Sequence, residues 1–370
     1  MSSASIIDTA RALCPPGSDF LEVATLGEAR VLIPMANHRV RHSSLKLYPV
    51  FHWKERAYRA ALRNWMALKG ARFTYRVIPN RMALKGARFT YRVIPNRSGT
   101  WPLGNLLQSD LPTLSTAAVY VGIPGPGQKI TVQLMDDRGA VLGFAKYADK
   151  PYTRALIANE AHMLEVIPMC VGPSLVHFVP FLQGELSVQT PLPGRTRAPS
   201  LRLDAARMRF LKRLIRPEEI YMASKHPFIE SLYAQVGERR SMLEGIVGDL
   251  KDSEWPVAWM HGDLSPWNIL WWRGDCLAFD WEHGRETGLA YLDAPQTLIQ
   301  FSGLVQKTEP RHAKRIVSER LRTHLPAQYS KFTSALTALS ALNMLVSWFP
   351  PWREPDPYER WLTKFVEALY

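Results

Sequence analysis

Cysteine is scarce: Cys14, Cys170 and Cys276 are the only three in 370 residues, they are widely spaced, and they form no Cys-x-x-Cys pair. That spacing excludes a disulfide framework and points to a reduced, cytoplasmic setting. The segment from Met1 to Ala10 lacks the basic stretch and apolar run of a secretory leader. A membrane-spanning run is also lacking. The longest uncharged stretch, Phe332 to Trp352, contains Thr333, Ser334, Thr337, Ser340 and Asn343 and closes on Pro350 and Pro351, which suits a buried helix. Acidic residues are few in the first hundred positions, with 5 Asp and Glu against 17 Lys and Arg, a balance of +12. The remaining positions hold 28 against 29, so nearly all of the net charge of +13 belongs to the N-terminal segment. Such a patch can meet phosphate, nucleic acid, anionic lipid or an acidic partner. What the chain has in quantity is apolar character. Hydrophobic residues make up 46%, enough for a sizeable core and against global disorder, and the length leaves room for two or three lobes.

A 16-residue string, MALKGARFTYRVIPNR, occurs twice in tandem, at 66–81 and 82–97, and each copy carries four basic residues. Two identical copies read as a single tandem duplication, or as an error in the sequence, and not as a stacked repeat array. Within a copy Phe73, Tyr75 and Val77 alternate with Arg72, Thr74 and Arg76, which predicts a short strand. Before it, 55–68 has helical spacing with a basic face, and 98–112 reads as a Gly, Pro and Ser connector. From Ala117 the pattern changes. Short strands are expected at 117–121, 129–135 and 141–147, separated by GIPGPGQ and DDRG turns, then a helix over 152–166 and a strand over 175–182. A polar connector is expected over 187–194. Helices follow at 204–214, 228–251, 292–306, 311–321, 329–348 and 358–369. The division is thus a basic segment 1–112, a small sheet with one helix at 113–190, and a helical part at 191–370.

The chemistry lies in one hairpin. Met260 to Glu282 reads MHGDLSPWNILWWRGDCLAFDWE, with an aromatic strand from Asn268, a turn expected to centre on Gly274 and Asp275, and a strand to Trp281. That register puts Asn268 and Asp280 within one residue of each other at the open end, with Asp263 on the loop leading in. Two carboxylates and one carboxamide converging there are hard oxygen donors, which suit Mg²⁺ completed by phosphate oxygens and water. The remaining carboxylate can take the proton of an attacking hydroxyl.

The run His261-Gly-Asp263-Leu-Ser-Pro-Trp-Asn268, followed by Asp280-Trp-Glu282, resembles the aminoglycoside phosphotransferase and choline kinase superfamily, which shares the protein-kinase-like fold. The resemblance implies an α+β, two-lobed fold with a small sheet lobe and a mostly helical lobe, here with a basic N-terminal extension. It implies that Asp263 is the catalytic base and that Asn268 and Asp280 hold Mg²⁺ against the phosphates of ATP or GTP. Glu282 is a supporting metal residue in this reading, and His261 fixes the loop by hydrogen bonding. A kinase-like sheet also needs a turn that meets phosphate, a strand lysine and a helix glutamate. Gly122, Gly125 and Gly127, Lys146 and Glu160 occur in that order, which makes them the nucleotide-binding candidates. The resemblance covers Ala117 to Tyr370, with 187–194 as the hinge beside the nucleotide.

The reaction implied is transfer of a γ-phosphoryl group to a hydroxyl of a small molecule, whether sugar, amino alcohol or aminoglycoside-like. Glu282, Glu286 and Asp293 are candidates for an acidic wall toward a cationic acceptor. Trp255, Trp259, Trp267, Trp271, Trp272 and Trp281 form either a core cluster or a stacking surface. Two other readings stand beside this one. The first is a catalytically weak, kinase-like binding module that docks on an acidic partner or membrane face through residues 1–100. The second, less favoured, is nucleic-acid binding by residues 39–97, where Arg and Lys interleave with Phe and Tyr.

Overall fold

The computed structural model describes residues 3–24, 29–47, 59–60, 63, 91–96, 99–125, 127–197, 200–349 and 354–369. The chain is α+β, as the sequence suggests, and divides into two compact units. One comprises Met1–Ala158 with Leu175–Pro191, the other Asn159–Ser174 with Leu192–Tyr370.

The first unit is built on a fully antiparallel eight-stranded sheet in the order β3-β1-β2-β4-β5-β6-β8-β7. Its strands are β1 (Asp19–Ala24), β2 (Arg30–Pro34), β3 (Tyr91–Pro95), β4 (Thr116–Val121), β5 (Ile130–Met135), β6 (Val141–Ala148), β7 (Leu175–Phe181) and β8 (Gly184–Gln189). Helices α1 (Ser3–Ala12), α2 (His38–Ser44) and α3 (Pro102–Leu107) accompany it, and α4 (Pro151–Val166) carries the boundary between the units. Alternation on β4 to β6 sends Ala117, Val119, Val132, Leu134 and Ala145 into one core with Leu13, Phe20, Leu103 and Val188. That pattern is what makes these strands readable from sequence.

Three findings differ from the expectation. Residues 1–112 do not stand outside the sheet, because β1, β2 and β3 extend it through the pairing of β2 with β4 at Arg30 and Val121. The 98–112 connector contains α3, whose start is set by Pro102 in its first turn. The 187–194 connector begins later than expected, since Ser187 to Gln189 complete β8 between Lys146 and Phe178. The strand expected in the duplicated string is present in the second copy as β3. The first copy, most of the second and nearly all of the 55–68 helix lie outside the described residues.

The second unit contains α5 (Ala205–Arg213), β9 (Ile215–Met222), α6 (Pro227–Tyr233), α7 (Arg240–Leu250), β10 (Glu254–Met260), β11 (Ile269–Trp272), β12 (Asp275–Ala278), β13 (Arg285–Leu289), α8 (Asp293–Gln300), α9 (Pro310–Arg322), α10 (Ala327–Ser330), α11 (Thr333–Ser347) and α12 (Pro357–Glu367). The single helix expected over 228–251 is two, because the first ends at Tyr233 and a separate turn at Gly237–Arg239, with Gly237 at φ 52°, precedes the second. The helix expected over 292–306 is α8 followed by a π-helical turn, Phe301–Gln306. A small sheet of β13-β10-β9 was not anticipated. Its central strand carries Pro256 next to a bulge, the one place a central strand tolerates a missing N–H donor. Helix α11 is buried along nearly its whole length, as expected of 332–352, and no helix among the described residues is long and apolar enough to cross a membrane.

Candidate active site

The hairpin β11–β12 pairs Ile269 with Ala278 and Trp272 with Asp275. Its turn therefore centres on Arg273 and Gly274, one residue earlier than the sequence suggested. The cause is backbone handedness. Arg273 and Gly274 have φ of 48° and 83°, the two positive values of a type I′ turn, which favours glycine at its second central position. Beyond the last pair the Phe279 N–H donates to the Asn268 carbonyl at 3.1 Å, so Asn268 faces Phe279 and Asp280 comes next. Asp280 itself sits at φ 70°, a strained conformation that Asp tolerates better than most residues and that costs on the order of 1 kcal/mol.

The loop from His261 to Asn268 closes on itself. Ser265 N–H donates to Asp263 O at 2.7 Å and Asn268 N–H to Ser265 O at 3.1 Å. The Asn268 amide Nδ2 donates to both the backbone O and Oδ2 of Asp263 at 3.1 Å, and the Gln300 amide Nε2 donates to Oδ1 at 2.8 Å. The Asp263 carboxylate is thus oriented from two directions. Asn268, with its amide NH₂ engaged, has Oδ1 left as its acceptor. His261 is buried. Asp263 N–H donates to its Nδ1 at 3.2 Å, so the ring proton is assigned to Nε2, which faces the Phe279 carbonyl at 3.0 Å. These two hydrogen bonds tie the loop to the hairpin through the His261 ring.

One face of α8 holds this loop from below. Asp293, Gln296, Thr297 and Gln300 follow i, i+3, i+4, i+7 spacing and so share a side of the helix. Asp293 accepts the N–H groups of His261 at 2.7 Å and Gly262 at 3.0 Å. Gln296 accepts Leu264 N–H at 2.7 Å and donates to Gly262 O, and Thr297 donates to Leu264 O. The Trp348 indole N–H also donates to Gly262 O, at 3.0 Å. Gly262 has φ 74°, and a Cβ there would lie 2.0 Å from the His283 carbonyl oxygen, so only glycine fits. Asp293 is 3% exposed. Burial pushes its carboxyl up to about 6, and its two N–H bonds pull the other way. The sequence reading missed Gln296, Thr297 and Gln300. The available signal was a polar stripe on the helix side where a core helix places apolar residues.

Of the acidic-wall candidates, Asp293 lies beneath the loop, Glu286 is half-exposed and bonded to His162 at 2.6 Å, and Glu282 is largely buried with His283 Nε2 3.9 Å away. The tryptophans are mainly core. Trp255 and Trp281 are fully buried and Trp271 nearly so, Trp255 stacks on Tyr329, and only Trp272 is substantially exposed.

In the sheet unit Lys146 is buried on β6 between Thr131 and Ser187. The Gly122 N–H donates to Lys129 O at 3.0 Å, and the Gly125 carbonyl accepts Lys150 Nζ at 3.1 Å. Gly127 follows in the same β4–β5 connection. In the other unit Glu160, on α4, is fully buried, and its Oε1 accepts the Trp281 N–H at 3.3 Å. Among the described residues no cluster of three or more His, Cys, Asp or Glu could hold a metal ion. The set of Asp280, Asp263 and the Asn268 Oδ1 is instead two carboxylates and a carboxamide. Oxygen donors of that kind fit Mg²⁺, which takes few protein ligands.

No protein-family model matches the chain, and no curated protein matches it. Solved structures to which it is similar include an amicoumacin kinase in complex with AMP-PNP, Ca²⁺ and its ligand, at 13% identity and a TM-score of 0.39, covering 67% of this chain and 87% of that one. Another is a thermostable mutant of an aminoglycoside phosphotransferase in ternary complex with ADP and hygromycin B, at 10% identity and 0.42, covering 72% and 98%. A third is a choline/ethanolamine kinase family protein from Mesorhizobium loti, at 15% identity and 0.36, covering 66% and 85%. At these levels of similarity the function is read from the chain's own residues.

Proposed function

We propose that this chain is a phosphotransferase that moves the terminal phosphoryl group of ATP or GTP to a hydroxyl of a small molecule, in a cytoplasmic setting. The observation that supports it best is the Asp263 carboxylate, held by Gln300 on one oxygen and Asn268 on the other, at the mouth of a hairpin that also presents Asp280. Asp263 orients the acceptor hydroxyl and receives its proton as the new oxygen–phosphorus bond forms and the bond to the nucleotide's leaving oxygen breaks. Asn268 Oδ1 and Asp280, with Glu282 in support, would hold Mg²⁺, whose charge offsets that of the phosphates. His261 keeps the loop in register with β12. Lys146 is proposed to meet the nucleotide phosphates, with Glu160 as its orienting partner and the Gly122 to Gly127 turn covering them. Most of the rate gain in such a site comes from positioning and fixed charge.

The test replaces Asp263 by Asn in the full chain. Turnover in a nucleotide-consumption assay should fall on the order of 10²- to 10⁴-fold, while Mg²⁺-dependent nucleotide binding survives. Turnover at the wild-type rate would remove Asp263 from the chemistry.

A further inference from the structure

Asp280 sits between two anchored neighbours. Upstream, the Phe279 N–H donates to Asn268 O at 3.1 Å, and the Phe279 carbonyl faces His261 Nε2 at 3.0 Å. Downstream, the turn 281–284 is closed by the Gly284 N–H, which donates to Trp281 O at 2.8 Å. That turn is fastened to adjacent residues of α4. Glu160 Oε1 accepts the Trp281 N–H at 3.3 Å. The Asn159 amide Nδ2 donates to Glu282 O and to Gly284 O, both at 3.0 Å. The amide orientation is assigned from those two partners, both of them carbonyls, and each takes one of the two protons that an NH₂ group can give. The approach is close. A Cβ on Gly284 would lie 2.7 Å from Met163 Cγ on α4 and 2.9 Å from Trp281 O. Trp281 is itself fully buried, its ring centroid 4.6 Å from that of His261, and its indole N–H donates to Ala278 O at 3.1 Å.

These contacts matter because Asp280 has a φ of 70°. A non-glycine residue keeps a left-handed backbone only where its surroundings over-determine it. The upstream restraint is the β11–β12 hairpin. The downstream restraint is α4, and Asn159 contributes two of the hydrogen bonds that form it. The same helix offers a second link for comparison. One turn further on, His162 bonds Glu286 at 2.6 Å, on β13 and past the turn that follows Asp280.

Building on the phosphotransferase reading, we infer that Asn159 is a positioning residue for the metal site: its amide locks the turn that follows Asp280 and so fixes where the Asp280 carboxylate is offered to Mg²⁺. Asn159 acts through the backbone of Glu282 and Gly284 and needs no contact with metal or nucleotide. Removing groups that orient a metal ligand in this way typically costs on the order of 10- to 100-fold in metal affinity.

The experiment uses the full chain with fluorescent N-methylanthraniloyl forms of AMP-PNP and GMP-PNP, titrated with Mg²⁺ from zero. It reads the Mg²⁺ concentration at half-maximal nucleotide binding, so it needs neither an acceptor nor turnover. Asn159→Ala, and Asn159→Leu, which keeps the size of the side chain and removes both donors, should each raise that concentration about 10-fold or more. Nucleotide affinity without metal should be unchanged. His162→Ala, which cuts the other link from α4, should leave the Mg²⁺ midpoint where it is in the wild type. Gly284→Ala crowds the same turn against Met163 without altering Asn159 and should shift the midpoint in the same direction as Asn159→Ala; it decides the matter if the Asn159 variants do not fold. An unmoved midpoint in the folded variants, or an equal shift in His162→Ala, would overturn the inference, the second because general docking of α4 would then suffice. Wild-type nucleotide binding that ignores Mg²⁺ would overturn the inference and the phosphotransferase reading together, whereas Mg²⁺-dependent wild-type binding with an unmoved Asn159→Ala midpoint overturns the inference alone.

Discussion

Replacing Asp293 by Asn probes how α8 clamps the loop, and the structure gives the magnitude. The Asp293 carboxyl is raised from 3.8 to about 6 by burial. At about 1.4 kcal/mol per unit that is roughly 3 kcal/mol. Between those two values the folded chain binds the proton more tightly than the unfolded chain, so stability falls as pH rises from 3.8 to about 6 and is level above. Asn has no proton to lose and lacks this slope. It does turn an NH₂ toward one of the two backbone donors, His261 or Gly262, at a cost of about 1–3 kcal/mol. That cost does not vary with pH and cancels when the two proteins are compared at two pH values. The stability of Asp293→Asn relative to wild type should therefore rise by roughly 1 to 2 kcal/mol between pH 5 and pH 7.5, the part of the window that lies above pH 5. Urea unfolding of both proteins at the two pH values measures it. A difference that stays constant, or that moves against the Asn variant as pH rises, would show that the two N–H bonds outweigh burial and that the carboxylate is held comfortably as an anion.

Two further outcomes follow from the same loop. Gly262→Ala combines a φ of 74° with a Cβ 2.0 Å from the His283 oxygen, and should lower stability by at least about 3 kcal/mol; an unchanged urea midpoint would mean that the loop is not held against His283. Gln300→Ala removes the donor on Asp263 Oδ1 and should lower kcat about 10-fold with nucleotide affinity unchanged; an unaltered kcat would exclude Gln300 from orienting the base.

The legible parts of this chain are those where local pattern and tertiary structure agree. Strands β4, β5, β6 and β7 and helix α4 alternate or repeat with the right period between short turns, and the structure places them within a residue or two of expectation. The hairpin was readable as a hairpin, but its register was not, because composition alone does not say which two of Arg273, Gly274 and Asp275 turn left-handed. The β13-β10-β9 sheet was hidden by distance and by Pro256, since its strands are separated by a helix pair on one side and the β11–β12 hairpin on the other. The basic excess of residues 1–100 suggested a segment standing apart, yet net charge carries no information about strand pairing, and β1, β2 and β3 join the sheet through backbone hydrogen bonds.

The least legible feature is also the one the proposed chemistry depends on. Motif residues such as Asp263 and Asn268 announce themselves by type and spacing, but the groups that fix them are ordinary side chains on α8, thirty and more positions later. An irregular loop cannot satisfy its own backbone, so each N–H and C=O must find a partner elsewhere or carry a desolvation cost. Here the partners are a carboxylate that takes two N–H groups, a glutamine that takes one and gives one, and a threonine that gives one. This complementarity lets Gly262 keep its left-handed backbone beside Asp263 without regular secondary structure. A loop held this way has its hydrogen-bond partners in place before any ligand arrives, as electrostatic preorganisation requires. The same argument implies that the proposed turnover should fall on mutation of Asp293, Gln296 or Thr297, which bond the loop backbone, as well as of Gln300, which bonds the Asp263 carboxylate.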